Sequence, residues 1–448
     1  MPVAVDVLQN ERETSGKPIR VGMVGAGNMA QTIANTLLTP APGIRLVAIA
    51  NRTLAKASAV FANAGASSAA RQVGSEAELS AAVAGGVPAV TTDPELLTRS
   101  GSIDVVLEAT GTIEFAAGVA VSAIEHKKHV VLANAELDST LGPILKKRAS
   151  AAGVVITNMD GDEPGVAMNL LRYARSVGLT PVAAGNLKGM LDPYRTPETQ
   201  REFAEKYGQT PAIVCSFADG TKMAMEGVIL ANSSGFRVGK RGMHGPRCAH
   251  VNEIAQKLPL DQLLSGGLVD FALGAAPHTG AWVVFHEPSP AKRKTLGYLK
   301  LGDGPLYVLY TPYHLPHIQI ASTIARAALI DDPTTAPLGG PTCEVVTVAK
   351  RDLKAGEVLD GVGGFLSYGV IDNADTFFAE NLLAMGLSQG ARLLRDVPKD
   401  QAITLADVEL PAGRLCDRLR AEQVTAFPVS RSSVAGATGQ RSVAGAAQ

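Results

Sequence analysis

The chain has 448 residues, about three times a typical domain of ~150, so two to four domains and more than one buried core are expected. Its 41 Lys and Arg against 42 Asp and Glu give a net charge of -1, and only 19% of residues are charged, which argues against nucleic acid or an anionic membrane surface as a partner. At 46% hydrophobic it is too apolar for a disordered chain, while 46 Gly and 26 Pro point to many tight turns.

The leader, MPVAVDVLQNERETSGKP, has no basic start and no apolar run of signal-peptide length, and no later stretch reaches ~18 uncharged apolar residues. The four cysteines (Cys215, Cys248, Cys343, Cys416) show no C-x-x-C spacing for zinc or redox work. A cytoplasmic protein with reduced thiols is expected.

From Ile19 to about Ile156, short β-branched runs (IRVGMVG, IRLVAIA, IDVVLEATG, KHVVLAN, GVVITN) alternate with Ala-rich amphipathic stretches. That alternation predicts βαβ units and a doubly wound parallel sheet of the Rossmann type over residues 17–158. Within it, Gly25-Ala26-Gly27-Asn28-Met29-Ala30 follows a strand and opens a helix. Gly25 suits a tight turn, Gly27 lets the backbone approach a pyrophosphate, and Ala30 stands where helix packs on strand; Asn28 and Met29 begin the helix whose N–H groups would hold the phosphates. The second strand runs into Asn51-Arg52-Thr53, with no carboxylate to hold a ribose 2′-OH. Arg52 can pair with a 2′-phosphate or stack on adenine, so NADP(H) is expected over NAD, the plain alternative being a solvated turn residue. The strand ending in Glu108-Ala109-Thr110-Gly111 places Thr110 and Gly111 beside the nicotinamide ribose, with Glu108 read as a buried structural carboxylate.

Residues 159–340 mix helical pieces with runs read as strands (GAWVVFHE, TLGYLKLG, PLYVLYT), and Gly302-Asp303-Gly304 reads as a hairpin turn, so a partly antiparallel sheet is expected. The segment HIQIASTIARAALI reads as a helix that returns to cover the first sheet. Two stretches gather polar groups. Asp160-Gly161-Asp162-Glu163-Pro164 is a compact acidic turn suited to Mg²⁺ or Mn²⁺, with Asp162 and Glu163 as ligands, to substrate hydroxyls, or to capping the next helix. Gly185 to Arg195 contains Lys188 among small and apolar residues at a strand end, where an ammonium can donate to an oxyanion or protonate a product. Asp192 lies in the same stretch, and Arg195 is a candidate anchor for phosphate or carboxylate. Lys222 and Glu226 stand one helical turn apart, an ordinary ion pair or part of a site. His314 and His317 in TPYHLPH are too few for zinc; His314 is a substrate-contact candidate and His317 a helix-start residue.

Residues 341–425 hold an internal echo, VAKRDLKAGEVLD and LLRDVPKDQAITLADV, read as a small β-clip module with two similar halves. It is expected to shape the cleft or to mediate assembly. Residues 426–448, rich in Ser, Gly and Ala, are expected to be disordered.

With GAGNMA, DVVLEATG, VLANAELD, MDGDEPG, GNLKGM, TPYHLPH and the C-terminal echo on the page, the chain resembles the homoserine-dehydrogenase-like oxidoreductases with a C-terminal SAF module, and among them the DXR-like (DRL) reductoisomerases. The resemblance covers about Lys17 to Gln423. It implies an NADPH-dependent conversion of 1-deoxy-D-xylulose 5-phosphate to 2-C-methyl-D-erythritol 4-phosphate in isoprenoid biosynthesis, with Asn134 near the cofactor and His314 near the substrate. One departure stands out: homoserine dehydrogenases carry a lysine where this chain has Ala135, which disfavours plain homoserine oxidation and leaves Glu136 and Asp138 for other chemistry. A polyol or hydroxy-acid dehydrogenase without rearrangement, and a non-enzymatic NADP-sensing SAF scaffold, are the alternatives. A small-molecule substrate and a homo-oligomer are expected.

Overall fold

The computed structural model describes residues 5–39 and 41–428. Of the expected tail, residues 429–448 lie outside the described residues, while Ala426 closes a helix, Leu415–Ala426. The chain divides into two compact units: the first holds residues up to Asp138, Ile144–Asp162 and Leu315–Ala336, the second Ser139–Pro143, Glu163–His314 and the chain from Pro337 onward.

The first unit is built on seven strands: β1 (Ile19–Val24), β2 (Ile44–Ala50), β3 (Arg71–Gln72), β4 (Ala89–Thr91), β5 (Val105–Glu108), β6 (His129–Leu132) and β7 (Ile156–Asn158). All pair in parallel, in the order β3-β4-β2-β1-β5-β6-β7. Successive apolar residues in the central strands need cover on both faces, and Val21, Met23, Val105, Val106 and Leu107 are fully buried. The helix Asn28–Leu38 supplies part of that cover through Ala30, Ile33, Ala34 and Leu37, one stripe at helical spacing. A helix from far along the chain, Pro316–Ile330, adds Ile320, Ile324 and Ala325 to the same core. Strand order reverses between β1 and β5, so the crevice that binds ligands in such sheets opens at Val24 and Glu108.

The second unit carries a mixed sheet of β8 (Thr180–Lys188), β9 (Leu268–Leu273), β10 (Ala281–His286) and β11 (Leu306–Thr311), ordered β11-β10-β8-β9. β10 runs antiparallel to both neighbours and β9 parallel to β8. The helices Glu163–Ser176 and Thr221–Ser234 join one core with its Val269, Phe271 and Val283. Trp282, fully buried in a second core, donates its indole N–H to the Asn186 carbonyl at 3.0 Å. Here one expectation fails: TLGYLKLG is not a strand. Pro290 is pre-set for a first helical turn and Ser289 accepts from the Lys292 N–H, so the helix Pro290–Tyr298 takes Thr295 to Tyr298. Gly302-Asp303-Gly304 accordingly joins a helix to β11 and is not a hairpin.

In the C-terminal part, β12 (Cys343–Ala349) and β13 (Ser367–Asn373) pair antiparallel, and Cys343, Val345 and Ile371 enter the same core as the Thr221–Ser234 helix. The two echo segments face each other: Leu353 and Val397 exchange backbone hydrogen bonds of 2.8 and 3.0 Å, and the Leu393 N–H donates to the Glu357 carbonyl at 2.8 Å. All four cysteines are buried, and none of them is in a disulfide. Among the described residues no helix is long and apolar enough to cross a membrane.

Candidate active site

Each unit contributes one constellation. In the first, β1 ends at Gly25, whose φ of +116° lies outside the range of L side chains. A Cβ there would also stand 2.6 Å from the Ala109 carbonyl oxygen, so glycine alone lets the turns after β1 and β5 meet. Gly27 serves differently: its φ is -88°, and a Cβ would meet nothing within 4 Å. It caps the helix Asn28–Leu38 with no side-chain hydrogen bond, leaving open space at a helix N-terminus, the setting for a phosphate. A dinucleotide fits this cradle. Met29 is half-buried against the core.

Asn51 shapes the turn after β2, its amide donating to the Thr53 carbonyl at 2.9 Å, and Arg52 beside it is exposed. At β5 the Glu108 carboxyl is fully buried and collects three groups. The Thr110 N–H donates to it at 2.8 Å, the Thr110 hydroxyl donates to the same oxygen, and Asn134 Nδ2 reaches its other oxygen at 2.8 Å. Burial pushes the Glu108 carboxyl up to about 7 despite those donors. Asn134 also caps the helix Ala135–Ala152, accepting from the Leu137 N–H at 3.0 Å. Thr110 and Asn134 thus have their side chains on Glu108, and Gly111, at φ +70°, carries the chain away from it. Burial pushes Asp138 up to about 7 as well.

Asp160 has an occupation that sequence spacing did not reveal. Its carboxylate meets Arg326 Nη1 at 3.0 Å and accepts from the Ser322 hydroxyl at 2.8 Å, both on the helix Pro316–Ile330, with Arg326 itself 2% exposed. This is a structural ion pair within the first unit. Asp162 is buried in the same turn, its N–H on the Met159 carbonyl. Among the described residues no cluster of three or more His, Cys, Asp or Glu is arranged to hold a metal.

The second constellation centres on Lys188 at the end of β8. Its Nζ lies 2.7 Å from Glu163 Oε2 and 3.5 Å from Glu226 Oε2. Asn186, two residues back and so on the same face of the strand, donates Nδ2 to the same two oxygens at 3.1 and 3.4 Å. Glu163 opens the helix Glu163–Ser176 and Glu226 lies inside Thr221–Ser234, so three elements converge on one ammonium. Burial holds Glu163 well above the usual carboxylate range against the pull of Lys188, with Glu226 adding to the rise. For Glu226 burial acts the same way but is overcome by Lys188, the hydrogen bond from Glu163, Lys222 and His314, which leave it low. The two carboxyls are thus driven in opposite directions, Glu163 up and Glu226 down. His314 Nδ1 is 3.8 Å from Glu163 Oε1 and 2.9 Å from the Thr279 hydroxyl.

Arg195 and Asp192 form an i,i+3 pair at 3.0 Å, both more than a third exposed. The Arg195 carbonyl meanwhile accepts from Lys350 Nζ at 2.7 Å; that buried lysine also holds Asp219 at 2.8 Å and the Gly364 carbonyl at 2.7 Å. The residue that sequence reasoning undervalued is Glu226, read with Lys222 as an ion pair or part of a site but not as a partner of Lys188. Its signal was a lone carboxylate in KMAMEGVILANSS, a helix buried almost throughout.

A model of the homoserine dehydrogenase NAD-binding domain matches residues 25–157, and a model of the oxidoreductase DRL catalytic domain matches residues 161–320. The first range holds the dinucleotide cradle and the second holds Glu163, Lys188, Glu226 and His314. Together they define an NAD(P)-dependent oxidoreductase. Residues 25–157 are thus similar to the nucleotide-binding domain of homoserine dehydrogenases, and residues 161–320 to a DRL catalytic domain. No curated protein matches it. Solved structures resemble it loosely: a homoserine dehydrogenase from Thiobacillus denitrificans (16% identity, TM-score 0.39, 74% of this chain and 83% of that one), a probable dehydrogenase from Thermotoga maritima (17%, 0.37, 60% and 72%), and a scyllo-inositol dehydrogenase from Lactobacillus casei (14%, 0.36, 60% and 74%).

Proposed function

We propose that this chain is an NADPH-dependent reductase of a small phosphorylated hydroxy-ketone, acting on 1-deoxy-D-xylulose 5-phosphate with rearrangement to give 2-C-methyl-D-erythritol 4-phosphate. The observation that carries the reading is Lys188, seated between two buried carboxyls inside the region that matches the DRL catalytic domain. Arg52, with no carboxylate at the end of β2, supports NADP over NAD.

When bound, NADPH supplies the hydride. Lys188 donates to the oxygen on which charge develops, and a preorganised ammonium in a dry site stabilises that charge far more than water would. Asn186 and the two carboxyls hold the lysine in place, so little reorganisation is needed as the charge forms. Lys222, one turn from Glu226, and Arg195 are the cations assigned to the substrate phosphate, and His314 contacts the substrate. Lys188 provides positive charge of the kind a ketol rearrangement needs beside the reacting oxygens. Asp160, committed to Arg326, is left out of the chemistry, as are Asp162 and Asp192. The C-terminal part is assigned the SAF-like role of shaping the second unit, and assembly into a homo-oligomer follows the family resemblance.

The test is NADPH consumption with 1-deoxy-D-xylulose 5-phosphate, followed by identification of the product by nuclear magnetic resonance. A reduced but unrearranged product would identify a simple dehydrogenase, and no turnover with any carbonyl would favour a sensor. Lys188→Ala should lose ~10²–10³ in kcat while still binding NADPH, the loss seen when one electrostatic stabiliser is removed. An unchanged kcat would place the chemistry elsewhere.

A further inference from the structure

Resting on the reading above, in which a carbonyl oxygen is reduced beside Lys188, we propose that Glu163 and His314 form the path by which that oxygen's proton arrives from solvent. Each reduction adds a hydride to carbon and leaves an alkoxide that needs one proton. Lys188 can give it, but its side chain is only 19% exposed and its Nζ faces carboxyls, so it must be refilled from them. Glu163 is placed to do so. One of its oxygens lies 2.7 Å from Lys188 Nζ, and the other faces His314 Nδ1 at 3.8 Å. His314 is 31% exposed and Lys188 19%, while Glu163 between them is 4%, so the buried carboxyl links two partly exposed groups. The exposed Thr279 hydroxyl, 2.9 Å from the same Nδ1, ties the ring to the turn before β10.

Glu226 explains why Glu163 has a proton to give. Two carboxyls within reach of one ammonium cannot both ionise at low cost, so the pair retains a proton between them. Burial raises Glu163, while Lys188, the hydrogen bond from Glu163, Lys222 and His314 lower Glu226, so the carboxyl that touches both ends of the path is the better proton carrier of the two. Asn186 also faces the pair, as does, across a cavity of about 10 Å³ with room for a single water, the buried Asp270.

The steps balance. As the hydride forms the new C–H bond, the carbonyl π pair moves to oxygen and takes a proton from Lys188, breaking N–H and forming O–H. Glu163 then loses its O–H proton to the neutral amine. The pair is left with two carboxylates, and protonated His314 restores the missing proton, itself recharged from water. The net change is ketone, NADPH and one proton to alcohol and NADP⁺.

The relay has one consequence that needs no substrate: infrared absorption at neutral pH should show a protonated carboxyl in the wild-type protein that Glu163→Gln removes. Absence of that difference overturns the proposal. With 1-deoxy-D-xylulose 5-phosphate and NADPH, His314→Gln should slow steady-state turnover ~10²-fold, the usual scale of a lost acid–base group, and added imidazole should restore part of it. NADPH fluorescence on each variant reports that it remains folded. If Lys188→Ala is impaired while His314→Gln turns over at the wild-type rate with an unmoved pH profile, the relay is wrong and the site stands. An unimpaired Lys188→Ala would remove the site and the relay together.

Discussion

The two glycines of the dinucleotide turn should respond in opposite ways to the same added methyl group. At Gly25 an alanine must hold φ at +116° and place its Cβ 2.6 Å from the Ala109 carbonyl oxygen, a backbone atom at the end of β5 that cannot rotate aside. Backbone strain of ~1–3 kcal/mol and overpacking of a similar size sum to about 2–6 kcal/mol. At Gly27 an alanine keeps φ at -88° and touches nothing, so loss of the better N-cap residue costs at most ~1 kcal/mol. That methyl does, however, fill the space a pyrophosphate would enter, and NADPH affinity should fall at least ~10-fold, or 1.4 kcal/mol. Urea melts separate the effects on the fold, and fluorescence titration with NADPH separates those on binding. If Gly27→Ala bound NADPH as tightly as wild type, the cradle would be misplaced; if Gly25→Ala were as stable as wild type, the contact with Ala109 would not be the constraint described.

Three further outcomes are expected. Arg52→Asp should weaken NADPH binding by ~1–3 kcal/mol, the worth of a charge-assisted contact, and tighter binding of NADH by the unmodified protein would refute the assignment. Glu108 keeps its proton up to about pH 7, whereas an unfolded chain ionises near ~4.3. Between those values the unfolded state has lost a proton the folded state retains, so the first unit's stability should fall as pH rises, by at most about 3–4 kcal/mol, and Glu108→Gln should lose that slope whatever its own stability. Lys350→Met strands the buried Asp219 carboxylate and should cost about 3–5 kcal/mol in denaturation of the second unit, with Asp219→Asn restoring part of the loss.

Local patterns carried much of the architecture. The alternation from Ile19 to Ile156 is a short-range signal, because parallel strands buried on both faces must read as apolar runs, and the seven-stranded sheet follows it. The same reasoning failed at TLGYLKLG, where apolar residues fit either period and the Ser289-Pro290 start upstream decided for helix. Lys188 could be singled out from its small and apolar surroundings, but its partners could not: Glu163 and Glu226 are 25 and 38 residues away, and nothing local encodes which helices will meet a strand end. Asp160 shows the cost of that blindness. Grouped by sequence with Asp162 and Glu163, it is held instead by Arg326, 166 residues further on.

The helix Pro316–Ile330 sets the order in which this protein can be made. A ribosome that has released residues up to Asn158 has delivered all seven strands of the nucleotide-binding sheet, yet Ile320, Ile324 and the guanidinium awaited by Asp160 are still untranslated. At ~5–20 residues per second the gap lasts about 10–30 s, long compared with the collapse of a domain of this size. Throughout it the nascent first unit must carry an uncovered apolar face and a carboxylate without its cation while the catalytic residues emerge behind it. The cofactor domain, first in sequence, is therefore finished only after most of the second unit's chain has been synthesised.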